Sequence, residues 1–106
     1  MSSSAFPVID QIGAALSVSS LRHEAIASNI ANRDSEGYRR LHVRFTGALD
    51  AAGDVRLAPE AAPGTPPSLE QDLVALSSNA LRYEALTRSL SRYFSILAVI
   101  ANPNRS

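Results

Sequence analysis

The stretch from Leu69 to Ala101 carries the one pattern that leaves this chain little choice of fold. Leu69, Leu73, Leu76, Ala80, Tyr83, Thr87, Leu90, Phe94, Leu97 and Ala101 follow strict alternating steps of four and three. That is a heptad seam held for more than four heptads, with Thr87 its one polar member. A second stripe runs beside it through Val74, Leu81, Leu86, Tyr93, Ile96 and Ile100. The apolar face is too wide for a two-stranded coiled coil and calls for neighbours on two sides. Ahead of it, "PPSLEQ" reads as a helix start. Pro66 and Pro67 block an earlier beginning, Ser68 caps, and Gln71 completes a capping box. At 1.5 Å per residue, a helix over 69–101 is roughly 50 Å long. Pro103 stops it.

A second helical pattern runs from about Pro7 to Asn32. Val8, Ile9, Ile12, Leu16, Leu21, Ala25, Ile26 and Ile30 recur at imperfect helical spacings, and Pro7 suits the first turn. Gly13 and the serines at 17, 19 and 20 lower the intrinsic propensity. The stop is expected at Asn32 in a left-handed conformation, which Asn tolerates. Between the two helices, Leu41, Val43 and Phe45 alternate with Arg40, His42 and Arg44 in a short strand-like segment. "DAAGDVRLAPEAAPGTPP" follows, with four Pro and two Gly in 18 residues, and reads as a flexible connection. The expected fold is all-α: two long helices packed as an antiparallel hairpin, joined by a short extended segment and a Pro/Gly/Ala-rich loop. The chain divides into an N-terminal helix and turn (1–38), a connector (39–67) and a C-terminal helix (68–102), within one domain.

Composition narrows the function. With 106 residues, 45% apolar but no Trp, three Phe and three Tyr, the chain lacks the large aromatics that anchor a compact core. Ala-rich helices of this size complete their burial against partners. Net charge is zero, ten basic residues against ten acidic, which gives no electrostatic reason to expect nucleic acid. No cysteine means no disulfide or thiol chemistry. The N-terminal "MSSSAFPVIDQIGAALSV" lacks the basic region of a secretory signal, and Asp10 interrupts its apolar run.

No reactive site is legible in the sequence. His23-Glu24 opens like a zinc-protease helix motif, but Ala27 stands where the second His belongs. His42 has no metal-spaced partner. The glycines at 13, 37, 47, 53 and 64 form no phosphate loop. No metal, cofactor or small-molecule substrate is expected, and the chain does not read as an enzyme. Arg33, Arg39, Arg40 and Arg44 form a local basic cluster, read either as a solvated face or as a patch for an acidic partner surface.

One stretch is too particular to be an ordinary helix end. "LRHEAIASNIANRDSEGYRRLHVRF" resembles the N-terminal signature of bacterial flagellar rod and hook proteins, in which a helix carrying "NIANxxTPGY" ends on the second Asn and turns at Gly-Tyr. Asn29, Ile30, Ala31, Asn32, Gly37 and Tyr38 match it. The stretch "LEQDLVALSSNALRYEALTRSLSRYFSILAVIA" is similar to the ending of the family's proximal rod members, through Asn79, Leu81, Arg82, Tyr83, Ala85, Leu86, Arg92, Phe94, Ser95 and Leu97. The matches cover about two thirds of the chain, at both ends. Ser35-Glu36 stands where the family carries Thr-Pro, Tyr93 replaces a common Lys, and the connector is short.

The resemblance implies a structural subunit of the proximal rod of the flagellar basal body. Its partners would be other rod proteins, the base ring, export-gate components and further copies of itself. Export through the flagellum's own apparatus, without a cleaved signal peptide, would place it in the periplasmic rod. Asn29, Asn32, Gly37 and Tyr38 would shape the turn. Leu73, Leu76, Leu81, Tyr83, Leu86, Leu90, Phe94 and Leu97 would pack between helices and between subunits, half of them inside the hairpin, and Leu86→Asp would abolish assembly. The alternative is a soluble helical adaptor or regulator that keeps the rod-protein fold.

Overall fold

The computed structural model describes residues 5–46, 54–61, 64–102 and 104. Four elements follow in order: α1 (Pro7–Ala31), β1 (Leu41–Thr46), β2 (Asp54–Pro59) and α2 (Leu69–Ala101). The helices lie antiparallel. Ser19 meets Asn79 mid-way, and Arg33, just past α1, meets Asp72 in the first turns of α2. The result is a rod-like body of 62 × 32 × 16 Å.

The helix starts follow the sequence. Pro7 occupies the first position of α1, where its missing N–H has no intrahelical partner to lose. Ser68 caps α2 by accepting the Gln71 N–H, and the Gln71 side chain accepts the Ser68 N–H, so both halves of the capping box are present. The end of α1 differs from expectation. Asn32 is the C-cap, but at φ −111° and ψ 15° it is not left-handed. Its side chain ends the helix instead, donating to the Ser28 carbonyl at 2.9 Å.

The fold is not all-α. β1 pairs with β2 in a two-stranded antiparallel sheet, Leu41 opposite Pro59 through Thr46 opposite Asp54. The segment read as a flexible connection therefore contains a strand. Val55 and Leu57 alternate with Arg56 and Ala58 there, a period-two pattern too short to stand out in Pro/Gly/Ala-rich surroundings. Pro59 fits because its position opposite Leu41 calls for no ladder N–H. Leu41, Val43, Val55 and Leu57 are half-buried on one face; on the other, His42, Arg44 and Arg56 are exposed while Ala58 is buried.

The helix pair is also rotated from the expected seam. The least exposed positions of α2 are Asp72, Leu76, Asn79, Leu86, Leu90 and Leu97. Asp72, Asn79 and Leu86 take the inward column that the apolar pattern assigned to Leu73, Ala80 and Thr87. Among the described residues only two apolar side chains, Ala25 and Ala58, are fully buried. The other buried side chains are Ser19, Asn29, Asp72 and Asn79. A chain that seals its deepest positions with polar groups holds itself together by hydrogen bonds chosen one at a time.

Candidate functional site: a polar clasp joining three segments

The signature stretch turns out to be a set of interlocking hydrogen bonds. Asn29, in the last turn of α1, is 3% exposed. Its Oδ1 accepts the Leu41 N–H at 2.8 Å and its Nδ2 donates to the Leu41 carbonyl at 3.0 Å. One side-chain amide thus pairs with both main-chain groups of a residue, as a neighbouring strand would. The Tyr38 hydroxyl donates to the same Oδ1 at 2.9 Å. Ser28 Oγ, 2.8 Å from the Tyr38 hydroxyl, therefore donates to it. Asp at 29 could not donate to Leu41.

The turn itself is built for Gly37. Tyr38 N–H donates to the Ser35 carbonyl at 3.2 Å, and Gly37 sits at φ 78°. A positive φ at the third residue of a four-residue turn is the type II arrangement, which glycine adopts without strain. Asn32 holds the near side of the turn, its carbonyl accepting the Ser35 N–H at 3.0 Å. Ile30 is half-buried and Ala31 exposed.

A charged clasp sits next to this one. Asp72, 3% exposed, accepts two bonds from Arg40 at 2.8 and 3.0 Å and one from Arg33 at 3.3 Å. One carboxylate thereby ties together the turn after α1, the residue before β1 and the start of α2. The Asp72 hydrogen bond raises the Arg40 pKa above its ordinary value; burial opposes this, while the Asp72 and Glu60 charges add to it. Glu60 approaches the Arg40 Nε at 3.8 Å, longer than a hydrogen bond. Arg39 donates to the Glu60 carbonyl at 2.6 Å. The basic cluster read from sequence is thus largely spent within the chain: Arg33 and Arg40 on Asp72, Arg39 on Glu60.

A third clasp fixes the helix register. Ser19 Oγ donates to Asn79 Oδ1 at 3.1 Å, and Asn79 Nδ2 donates to the Ser19 carbonyl at 2.8 Å. Sequence reading missed Ser19, Ser28, Asp72 and the role of Asn79, because it ranked positions by apolarity. A signal was present: Asp72 and Asn79 are seven residues apart and so share one helix face.

The eight residues expected to pack between helices and between subunits fall into two groups. Leu76, Leu86, Leu90 and Leu97 are half-buried, whereas Leu73, Leu81, Tyr83 and Phe94 are exposed. A groove of about 580 Å³ runs between the hairpin and α2, lined by Arg22, Ile26, Leu41, Val43, Asp72 and Ala75 among others. Among the described residues no group of three or more His, Asp or Glu converges as a metal site. None of the described helices is long and apolar enough to cross a membrane. Comparison with protein-family models and with curated proteins finds no match to this chain. The clasps are closed by their own members, save the buried Arg40 Nε, which has no hydrogen-bond partner among the described residues, and what they do chemically is hold three segments in one arrangement.

Proposed function

We propose that the chain is a structural subunit of the bacterial flagellar basal body, a proximal rod protein of the FlgB type. It would polymerise with other rod proteins, transmit torque and extend the export channel. The observation that supports this reading most is the apolar outer surface of α2. Val74, Leu81, Phe94, Ile96, Val99 and Ile100 are all exposed, on a chain with almost no buried apolar side chain of its own among the described residues. Monomeric proteins rarely leave such a surface uncovered. These residues lie on more than one side of the helix, so a single partner cannot cover them. Subunits stacked through non-closing contacts can. The clasp residues Asn29, Asn32, Gly37 and Tyr38 are those of the signature, and they fix the angle at which the chain leaves α1.

One feature favours a second reading, a soluble helical adaptor or regulator. The two helices are already locked to each other by Ser19–Asn79 and Asp72, which gives a single chain a defined helix pair before any assembly. Deleting the gene and imaging purified basal bodies separates the two. Bodies arrested at the base ring, with motility restored by the full-length gene, establish the rod role. Normal rods and normal swimming hand the lead to the adaptor.

A further inference from the structure

Beyond Leu41, two residues of β1, Val43 and Phe45, present an edge that no described residue pairs with. The Arg40 carbonyl accepts the Glu60 N–H at 2.7 Å. Hydrogen-bonded pairs in an antiparallel ladder alternate, so they fall at His42–Ala58, Arg44–Arg56 and Thr46–Asp54. The main-chain groups of Leu41, Val43 and Phe45 point away from β2. Asn29 takes those of Leu41. Among the described residues, those of Val43 and Phe45 have no partner. This edge borders the groove between the hairpin and α2. The opposite edge, on β2, ends in Pro59, which has no N–H to offer.

Charge on the hairpin points the same way. Arg44 lies directly across from Arg56. Both are exposed, and neither has an acidic partner among the described residues. Like charges opposite each other weaken a strand pair, and a two-stranded sheet has little stability to lose. Arg22, lining the groove, is likewise without an acidic partner among the described residues.

We propose that the β1 edge is a docking site for an extended segment of another protein in which apolar and acidic residues alternate. Such a segment satisfies the Val43 and Phe45 main chain as a third strand. Its apolar side chains lie on the face of Val43 and of Phe45, which is 44% exposed. Its carboxylates lie on the other face, beside Arg44. A second copy's β1 is the wrong occupant, because pairing the two edges through Val43 and Phe45 sets Arg44 against its own counterpart. The site is independent of the rod reading, and either can fail alone.

The test uses the full chain, labelled with ¹⁵N, and two blocked seven-residue peptides alternating valine with glutamate or valine with lysine. The glutamate peptide slows amide exchange at Val43 and Phe45 at least tenfold; the lysine peptide does not. Arg44→Glu places opposite charges across from Arg56, keeps the hairpin and reverses the preference. Val43→Pro removes the outward N–H together with the valine side chain, and Val43→Ala, which trims the side chain but keeps that N–H, is its control: the proline variant binds the glutamate peptide at least tenfold more weakly than the alanine variant, with helical circular dichroism unchanged in both. Equal binding of both peptides overturns the proposal, as does unchanged exchange at Val43 and Phe45. So does protection that rises with protein concentration without peptide, or displacement of the peptide by a thymidine oligonucleotide of equal charge.

Discussion

Asn29 does with one side chain what a strand does with its backbone, and no other residue type fits its place. Asn29→Asp keeps the size and the acceptor but loses the donor to Leu41, and it sets a buried charge against a carbonyl. The expected cost is about 2–3 kcal/mol, the usual range for an unsatisfied buried group, read from urea unfolding at neutral pH. A smaller change tests the turn. Glu36 precedes Gly37 at the second turn position, where proline's fixed φ is preferred. Glu36→Pro is expected to stabilise by about 0.4–1 kcal/mol through the unfolded chain, visible as a higher midpoint in the same titration. A midpoint that falls would show that this turn is not type II.

The helices meet through polar locks, and two substitutions separate their roles. Asp72→Asn leaves Arg33 and Arg40 without their counter-charge. It is expected to cost about 3 kcal/mol, the low end for a broken buried pair, because both arginines keep some access to water. Replacing the other lock together, Ser19→Ala with Asn79→Leu, removes both side chains at once and leaves only the Ser19 carbonyl, which lies inside α1, so stability is expected to stay nearly unchanged. The difference appears in register: without Asn79 only the Asp72 clasp, at one end, anchors the helix pair, and amide spectra of the double variant are expected to broaden along α2 beyond it. The same contrast explains what could be read in advance. Both helices were legible because Pro7, the Ser68–Gln71 box and the long apolar period act locally. β2 was not, since four alternating residues carry less pattern than the prolines around them. The rotation of α2 was hidden because Asp72 and Asn79 earn an inward place only through Arg40 and Ser19, which lie 32 and 60 residues away in the chain. Asn29 and Tyr38 were visible as a motif, while their shared hydrogen bond was not.

At the scale of the whole molecule, the inner and outer faces of α2 answer to different experiments. Leu81 is 66% exposed, so Leu81→Asp is expected to leave the melting temperature of the isolated chain within about 2 °C while, on the rod reading proposed above, abolishing sedimentable assemblies. Leu86 is half-buried, and Leu86→Asp is expected to lower both. The long sequence separation of the Ser19–Asn79 contact also sets an order in time. Contacts between distant parts of a chain form late. Asn29 finds Leu41 only 12 residues ahead, but Ser19 must wait for Asn79 and Arg40 for Asp72. A chain synthesised N-terminus first thus has its turn able to set while its helices are still apart, and the arrival of its last third is the step that closes the pair.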